Sequence, residues 1–124
     1  MNILVVDDDR NIRELLRLHL GNAGHNVRVT EDGIAAGYAV LADRPDLVIC
    51  DVSMPHFDGF QFVAALRADP DFRDLPVIFL TTGETEQPNR ELRALAQIPK
   101  PVRADWLLSF IKSKVRGGLA VDAA

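Results

Sequence analysis

Asp7, Asp8 and Asp51 are the residues best placed to do chemistry, because they stand where apolar runs stop. Ile3-Leu4-Val5-Val6 runs into Asp7-Asp8-Asp9, and Leu47-Val48-Ile49-Cys50 runs into Asp51. Continuous β-rich runs of this length read as strands buried on both faces. An acid directly after such a strand must face a site or lose its hydration. If the two strands are neighbours, three carboxylates crowd together, raising one another's pKa values or weakening the fold. A hard divalent cation resolves that conflict. A small oxygen-lined site that keeps several waters suits Mg²⁺ better than Zn²⁺, with Mn²⁺ as a substitute, and no Cys/His spacing pattern competes. Asp9 reads differently: it precedes a helical segment and can cap it.

The elements that must position these acids alternate along the chain. After the first strand, Ile12, Leu15, Leu16, Leu18 and Leu20 recur at helical spacing, with Arg10, Arg13, Glu14 and Arg17 opposite and Gly21 and Gly24 at the end. Val27 and Val29 mark a second strand. Asp32 can cap a helix carrying Ile34, Ala35, Tyr38, Ala39 and Leu41, which Arg44-Pro45 ends. Phe60, Val63, Ala64 and Leu66 follow the third strand as another helix. Val77-Ile78-Phe79-Leu80 is a fourth strand ending at Thr81-Thr82-Gly83. Leu92, Leu95 and Ala96 suggest a short helix after Pro88, and Ile98 a weak fifth strand before Lys100-Pro101. Trp106, Leu107, Phe110 and Ile111 form the inward stripe of a last helix, stopped by Gly117-Gly118. This alternation predicts an α/β fold, a five-stranded parallel sheet with helices on both faces and right-handed crossovers. Ligands of such sheets gather at the C-terminal strand edge, where the acids and small polar residues lie.

Composition narrows the function classes. The 124 residues, 48% hydrophobic, make one ordinary domain with a sizeable core. Residues 1–116 read as that domain and 117–124 as a tail or the start of a linker. A formal charge of −4, with no cluster of Lys and Arg, gives no support to nucleic-acid binding. No apolar stretch is long enough to span a bilayer, and the N-terminus lacks a signal pattern. The single cysteine, Cys50, excludes an internal disulfide and reads as a buried inert thiol. A cytoplasmic protein is expected.

The chain resembles the receiver domains of bacterial two-component response regulators, the CheY-like family, over essentially residues 2 to 115. Val6-Asp7-Asp8-Asp9 looks like the acidic pair after the first strand. Residues Asp51-Val52-Ser53-Met54-Pro55-His56-Phe57-Asp58-Gly59 resemble the phosphoacceptor loop. Pro76 to Thr81 resembles the fourth strand with its terminal switch hydroxyl, and Lys100-Pro101 the lysine and following proline, whose peptide bond is usually cis. The resemblance implies a flavodoxin-like (βα)5 fold with strand order 2-1-3-4-5. Asp51 would take a phosphoryl group from a histidine of a sensor kinase or phosphotransfer protein. Asp8, Asp51 and the Ser53 main-chain carbonyl would hold Mg²⁺, with Asp7 acting through metal-bound water. Lys100 would pair first with Asp51 and then with the phosphoryl group. Main-chain N–H groups near Ser53 and Thr82 would donate to the remaining oxygens. Such a domain catalyses its own phosphorylation and slow dephosphorylation rather than turning over a conventional substrate. Thr81 would swing inward on phosphorylation and repack a surface formed by the fourth helix, fifth strand and fifth helix. That surface would meet a downstream protein target, and the resemblance also allows a homodimer through it.

Several positions depart from the family's pattern. Gln97 stands three residues before Lys100, where Tyr or Phe is usual; Pro99 precedes the lysine; Thr82 replaces a common Ala or Gly. Thr81 and Lys100 are close in sequence, so the fourth helix or its loops should be short. The hydroxyl–aromatic switch should therefore differ here. Met54 is expected to pack under the loop, and His56, Glu84 and Glu86 to lie at the pocket rim without a chemical role. The chain's end soon after the last helix reads as a stand-alone receiver, and equally as a piece cut at a linker. A metal-dependent phosphohydrolase would need an acid where Ser53 stands, and a Rossmann-type nucleotide binder a glycine-rich turn where Asp7-Asp8-Asp9 stands. A phosphorylation-independent interaction module of the same fold is the remaining alternative.

Overall fold

A computed structural model describes residues 1–54, 57–82 and 92–116. Five strands form one parallel sheet: β1 (Asn2–Val6), β2 (Asn26–Thr30), β3 (Leu47–Asp51), β6 (Val77–Thr81) and β7 (Ala96–Pro99). Their order is β2-β1-β3-β6-β7. Between β3 and the next helix, β4 (Ser53–Met54) and β5 (Phe57–Asp58) form a small antiparallel pair. Among the described residues the helices are α1 (Arg10–Asn22), α2 (Gly33–Ala42), α3 (Gly59–Ala68) and α4 (Ala104–Arg116). This is the flavodoxin-like topology, with β6 and β7 in the fourth and fifth sheet positions.

The central strands are buried because both faces of the sheet are covered. Leu4, Val6, Val48, Cys50, Val77 and Phe79 pack under α2 and α3. Ile3, Val5, Leu47, Ile49, Ile78 and Leu80 pack under α1 and α4. The register places Val6 beside Cys50 and Asp51 beside Leu80, so β1, β3 and β6 end at one edge. Cys50 is fully buried, as expected of an inert thiol.

Three helical expectations need correction. In α2 the buried residues are Gly33, Ala36 and Val40, while Ile34, Tyr38 and Leu41 are exposed by 70% or more. A helix apolar on every side gives periodicity no phase, and the small Ala36 lets the backbone approach the sheet. In α4 Leu107 and Ile111 are buried and Phe110 packs against the core, but Trp106 leaves the expected stripe: it is half exposed and stacks on Phe110, ring centroids 5.4 Å apart. Ala96 does not extend a helix; it begins β7 opposite Ile78, shortly after Arg93 in a left-handed conformation (φ 49°). Leu92 and Leu95, the other residues of the helix expected after Pro88, also lie in no α-helix and run into β7; the part of it before Leu92 lies outside the described residues, as do Pro55, His56, Glu84, Glu86, the Met54 side chain and residues 117–124.

Both ends of α2 are fixed. The Asp32 carboxylate accepts from the Ala35 N–H at 2.7 Å, the N-cap its position predicted. At the other end Arg28 on β2 donates to the carbonyls of Ala39 (2.8 Å) and Asp43 (2.6 Å), adding a second donor to the Ala39 carbonyl, which already accepts from the Asp43 N–H at 3.2 Å, and a partner for the carbonyl of the C-cap residue. Arg28→Ala should cost about 2 kcal/mol, read as a lowered denaturant midpoint with unchanged m-value. Arg28→Lys, lacking the planar fork, should recover less than half.

Candidate functional site

The site is built at the shared C-terminal edge of β1, β3 and β6. Asp7 and Asp51 are fully buried and Asp8 is exposed. One carboxylate oxygen from each of the three lies within 4.8 Å of the others. The strand after the apolar run thus delivers its acid into the pocket, as the sequence required. Asp9 stays out of the cluster and caps α1, accepting from the Asn11 N–H at 2.8 Å.

Lys100, at the end of β7, supplies the opposing charge. Its Nζ lies 3.2 Å from Asp7 Oδ2 and 3.2 Å from Asp51 Oδ2. Neither Oδ2 receives an aligned hydrogen bond among the described residues, but ion-pair attraction depends on distance more than angle. The other oxygens are held by the chain: Asp7 Oδ1 accepts from the Asp9 N–H at 2.9 Å and Asp51 Oδ1 from the Ser53 N–H at 3.0 Å. The Lys100 N–H donates to the Thr81 carbonyl at 2.6 Å, tying the lysine to β6. Thr81 is buried, Ser53 and Thr82 are exposed, and the Lys100–Pro101 peptide is cis. Gln97 pairs in register with Phe79, two residues before Pro99 meets Thr81.

The electrostatics follow from this crowding. Burial pushes the Asp7 carboxyl up to about 6; the Asp9 N–H and Lys100 oppose the rise and the Asp51 charge adds to it. Burial alone would lower the Lys100 ammonium, but Asp7 and Asp51 outweigh it and hold it above its ordinary value. A group whose folded pKa rises from 3.8 to about 6 binds more protons folded than unfolded between those values. It therefore withdraws stability as pH rises through that window. In metal-free protein, the melting-temperature advantage of Asp7→Asn over wild type should grow across this interval and level off above it. Saturating Mg²⁺ should abolish the difference or reverse its sign.

Two contributors escaped the sequence reading. Arg13, expected on the solvent face of α1, is half buried and donates to the Asp7 carbonyl at 2.9 Å. Arg67 at the end of α3 donates from Nε to the Leu92 carbonyl (2.8 Å) and from one Nη to Leu75 (2.7 Å) and Arg73 (3.0 Å). Burial pushes its guanidinium down to about 10, with Arg93 adding to the fall. Carbonyl partners leave no mark in a sequence, since every residue carries one. The Gly59 position also tightens the site: a Cβ there would lie 2.2 Å from the Asp51 carbonyl oxygen.

Residues 3–112 match the family model of the response regulator receiver domain. The chain belongs to that family. Response regulator MprA of Mycobacterium leprae is 38% identical to this receiver over 127 residues, covering 100% of this chain and 55% of the relative. Response regulator MprA of Mycobacterium avium is 37% identical over 119 residues, covering 94% of this chain and 51% of the relative. The receiver thus spans about half the length of the curated relatives it matches. Among solved structures, chemotaxis response regulator CheY4 of Vibrio cholerae superposes with TM-score 0.81 at 31% identity, covering 90% of this chain and 96% of that one. A putative response regulator from Chloroflexus aurantiacus gives 0.84 at 31%, covering 93% and 97%. Among the described residues no helix is long and apolar enough to cross a membrane.

Proposed function

We propose that this receiver accepts a phosphoryl group on Asp51 from a phosphohistidine of a sensor kinase or histidine phosphotransfer protein, in the cytoplasm. The observation that carries the proposal is the buried Asp51 Oδ2, which faces the Lys100 ammonium at 3.2 Å and receives no aligned hydrogen bond among the described residues. The Ser53 N–H on Oδ1 orients the carboxylate, leaving Oδ2 lone pairs for a ligand or for phosphorus. In the transfer an Asp51 oxygen forms the new O–P bond, the N–P bond breaks, and the donor imidazole nitrogen keeps the electron pair. Lys100 is placed to follow the negative charge from the carboxylate to the phosphoryl oxygens. Thr81, at the same sheet edge, would respond by turning its hydroxyl toward them.

The acid cluster fits a hard divalent cation. Its donors are carboxylate oxygens close enough to share one ion, and two buried oxygens lack an aligned donor among the described residues. Asp8, Asp51 and the Ser53 carbonyl would hold Mg²⁺, with Asp7 acting through a metal-bound water. When bound, the ion would neutralise charge on the transferring group.

Incubation with Mg²⁺ and acetyl phosphate, followed by intact-mass measurement, tests the reading. Wild type should gain one phosphoryl group and Asp51→Asn none. No gain on folded wild type, with histidine-kinase donors as well, would leave the phosphorylation-independent interaction module.

A further inference from the structure

The outer face of α2 is at odds with its surroundings. Its sequence, GIAAGYAVLA, contains no charged side chain, although the helix lies at the molecular surface. Ala36 and Val40 cover the sheet, and Ile34 (71%), Tyr38 (72%) and Leu41 (70%) point away from it. By contrast, the outer face of α1 carries Glu14 and Arg17, joined in an exposed ion pair. A helix apolar on all sides is normally covered on all sides, and an exposed apolar patch of this kind marks a contact surface.

We propose that this face packs against the α2 helix of a second copy of the chain, antiparallel, about a two-fold axis beside Gly37 and Tyr38. The spacing of Ile34, Tyr38 and Leu41, four residues and then three, is that of a helix-packing seam. In an antiparallel pair centred between positions 37 and 38, Ile34 of one chain meets Leu41 of the other, and Tyr38 lies over the partner's Gly37. Among the described residues beyond the helix's own backbone, nothing lies within 4 Å of a Cβ built on Gly37, so a second backbone can approach there. The same register brings Glu31 at one end of α2 opposite Arg44 at the other end of its partner. Both are exposed, and neither has a salt bridge among the described residues. A two-fold axis makes this pairing twice, as an isologous interface requires. Asp32 and Asp43 also approach in this register, but the Asp32 carboxylate is turned onto the Ala35 N–H, within its own helix N-terminus. A parallel pair would place Glu31 against Glu31 and Arg44 against Arg44.

The size of the face sets the strength. Ten helical residues extend about 15 Å, and a strip of that length about 10 Å wide covers well under the roughly 800 Å² per partner of a standard stable interface. The dimer is therefore weak, with a dissociation constant on the order of 100 µM. The surface is also distinct from the last-strand and last-helix face that the family resemblance suggests for output.

Sedimentation velocity of the 124-residue chain from about 10 µM to about 1 mM, well to either side of that constant, tests the proposal. The sedimentation coefficient of wild type should rise toward that of a dimer, and Ile34→Glu/Tyr38→Glu should stay monomeric throughout. Glu31→Arg and Arg44→Glu should each weaken association about tenfold, and the two together in one chain should restore it. Wild type that stays monomeric across the range overturns the proposal. So does dimerisation that the α2 variants leave unchanged, which would place the interface elsewhere. Failure of the combined variant to recover overturns the antiparallel register. Circular dichroism of each variant shows whether it is folded; the replaced side chains are all exposed, so native spectra are expected.

Discussion

Lys100→Met should bind Mg²⁺ more tightly than wild type and yet accept a phosphoryl group on the order of 10²–10³-fold more slowly. The two effects diverge because the ammonium has two relations to the same oxygens. In the resting site it lies 3.2 Å from both Asp7 Oδ2 and Asp51 Oδ2, where it competes with a metal for negative charge. During transfer the charge moves outward onto phosphoryl oxygens, and a flexible point charge can follow it while methionine cannot. A smaller effect should accompany these: with its neutralising partner gone, the Asp7 carboxyl should titrate still higher than about 6. Calorimetric Mg²⁺ titration and an intact-mass time course with acetyl phosphate give the two quantities separately. Equal phosphorylation rates in variant and wild type would remove Lys100 from the chemistry and leave it a structural counter-ion. Lys100→Arg should fall between them, because a planar guanidinium at the end of β7 cannot place a compact charge between two carboxylates.

Why the sequence showed which residues meet at the sheet edge, but not which helix faces turn inward, has a physical answer. Asp7 and Asp51 follow runs of four apolar residues, and strand alternation leaves such residues one direction in which to ionise. The parallel order then brings them together, since β1 and β3 are neighbours and end in register. Lys100 was legible through the resemblance of Lys100-Pro101 to the family's lysine and proline, and the Lys100 N–H to Thr81 carbonyl bond shows the two strand ends joined. The misreadings have a shared cause. In α2 every side chain is apolar, so hydrophobicity cannot say which face is inside; the choice is made by the sizes of Ala36 and Val40 against the sheet. In α4 the aromatic pair Trp106 and Phe110 looked like core, yet they stack on each other at its flank, with the Lys114 ammonium 5.5 Å from the Phe110 ring centroid. Arg13 read as a solvated charge, and nothing in the sequence singled out Arg28 or Arg67, yet all three are spent on main-chain carbonyls of other segments. Tertiary contacts of that kind carry no local pattern.

Gly59→Ala should destabilise the protein by about 3 kcal/mol and slow phosphorylation by roughly 10²-fold, though it adds only one methyl group. The new Cβ would sit 2.2 Å from the Asp51 carbonyl oxygen and 3.0 Å from both the Asp51 carbonyl carbon and Val52 Cα. These atoms are backbone, so no rotamer change relieves the clash and the chain itself must move. Two attachments resist that movement. The Val52 N–H donates to the Leu80 carbonyl at 3.1 Å, and the Gly59 N–H approaches the Val52 carbonyl at 3.4 Å, at the base of the β4–β5 pair. Displacing Asp51 also disturbs the Ser53 N–H that orients its Oδ1, so the reacting oxygen loses its aim even in molecules that remain folded. Gly21→Ala is the matched control: it lies in α1 with nothing within 4 Å of the added carbon, and helix propensity there should yield about 0.5 kcal/mol of stabilisation. Thermal melts and phosphorylation time courses on the two variants separate a general cost of losing glycine from the local contact. If Gly59→Ala melted and reacted like wild type, the close packing of this helix start against the Asp51 backbone could not be what fixes the acceptor.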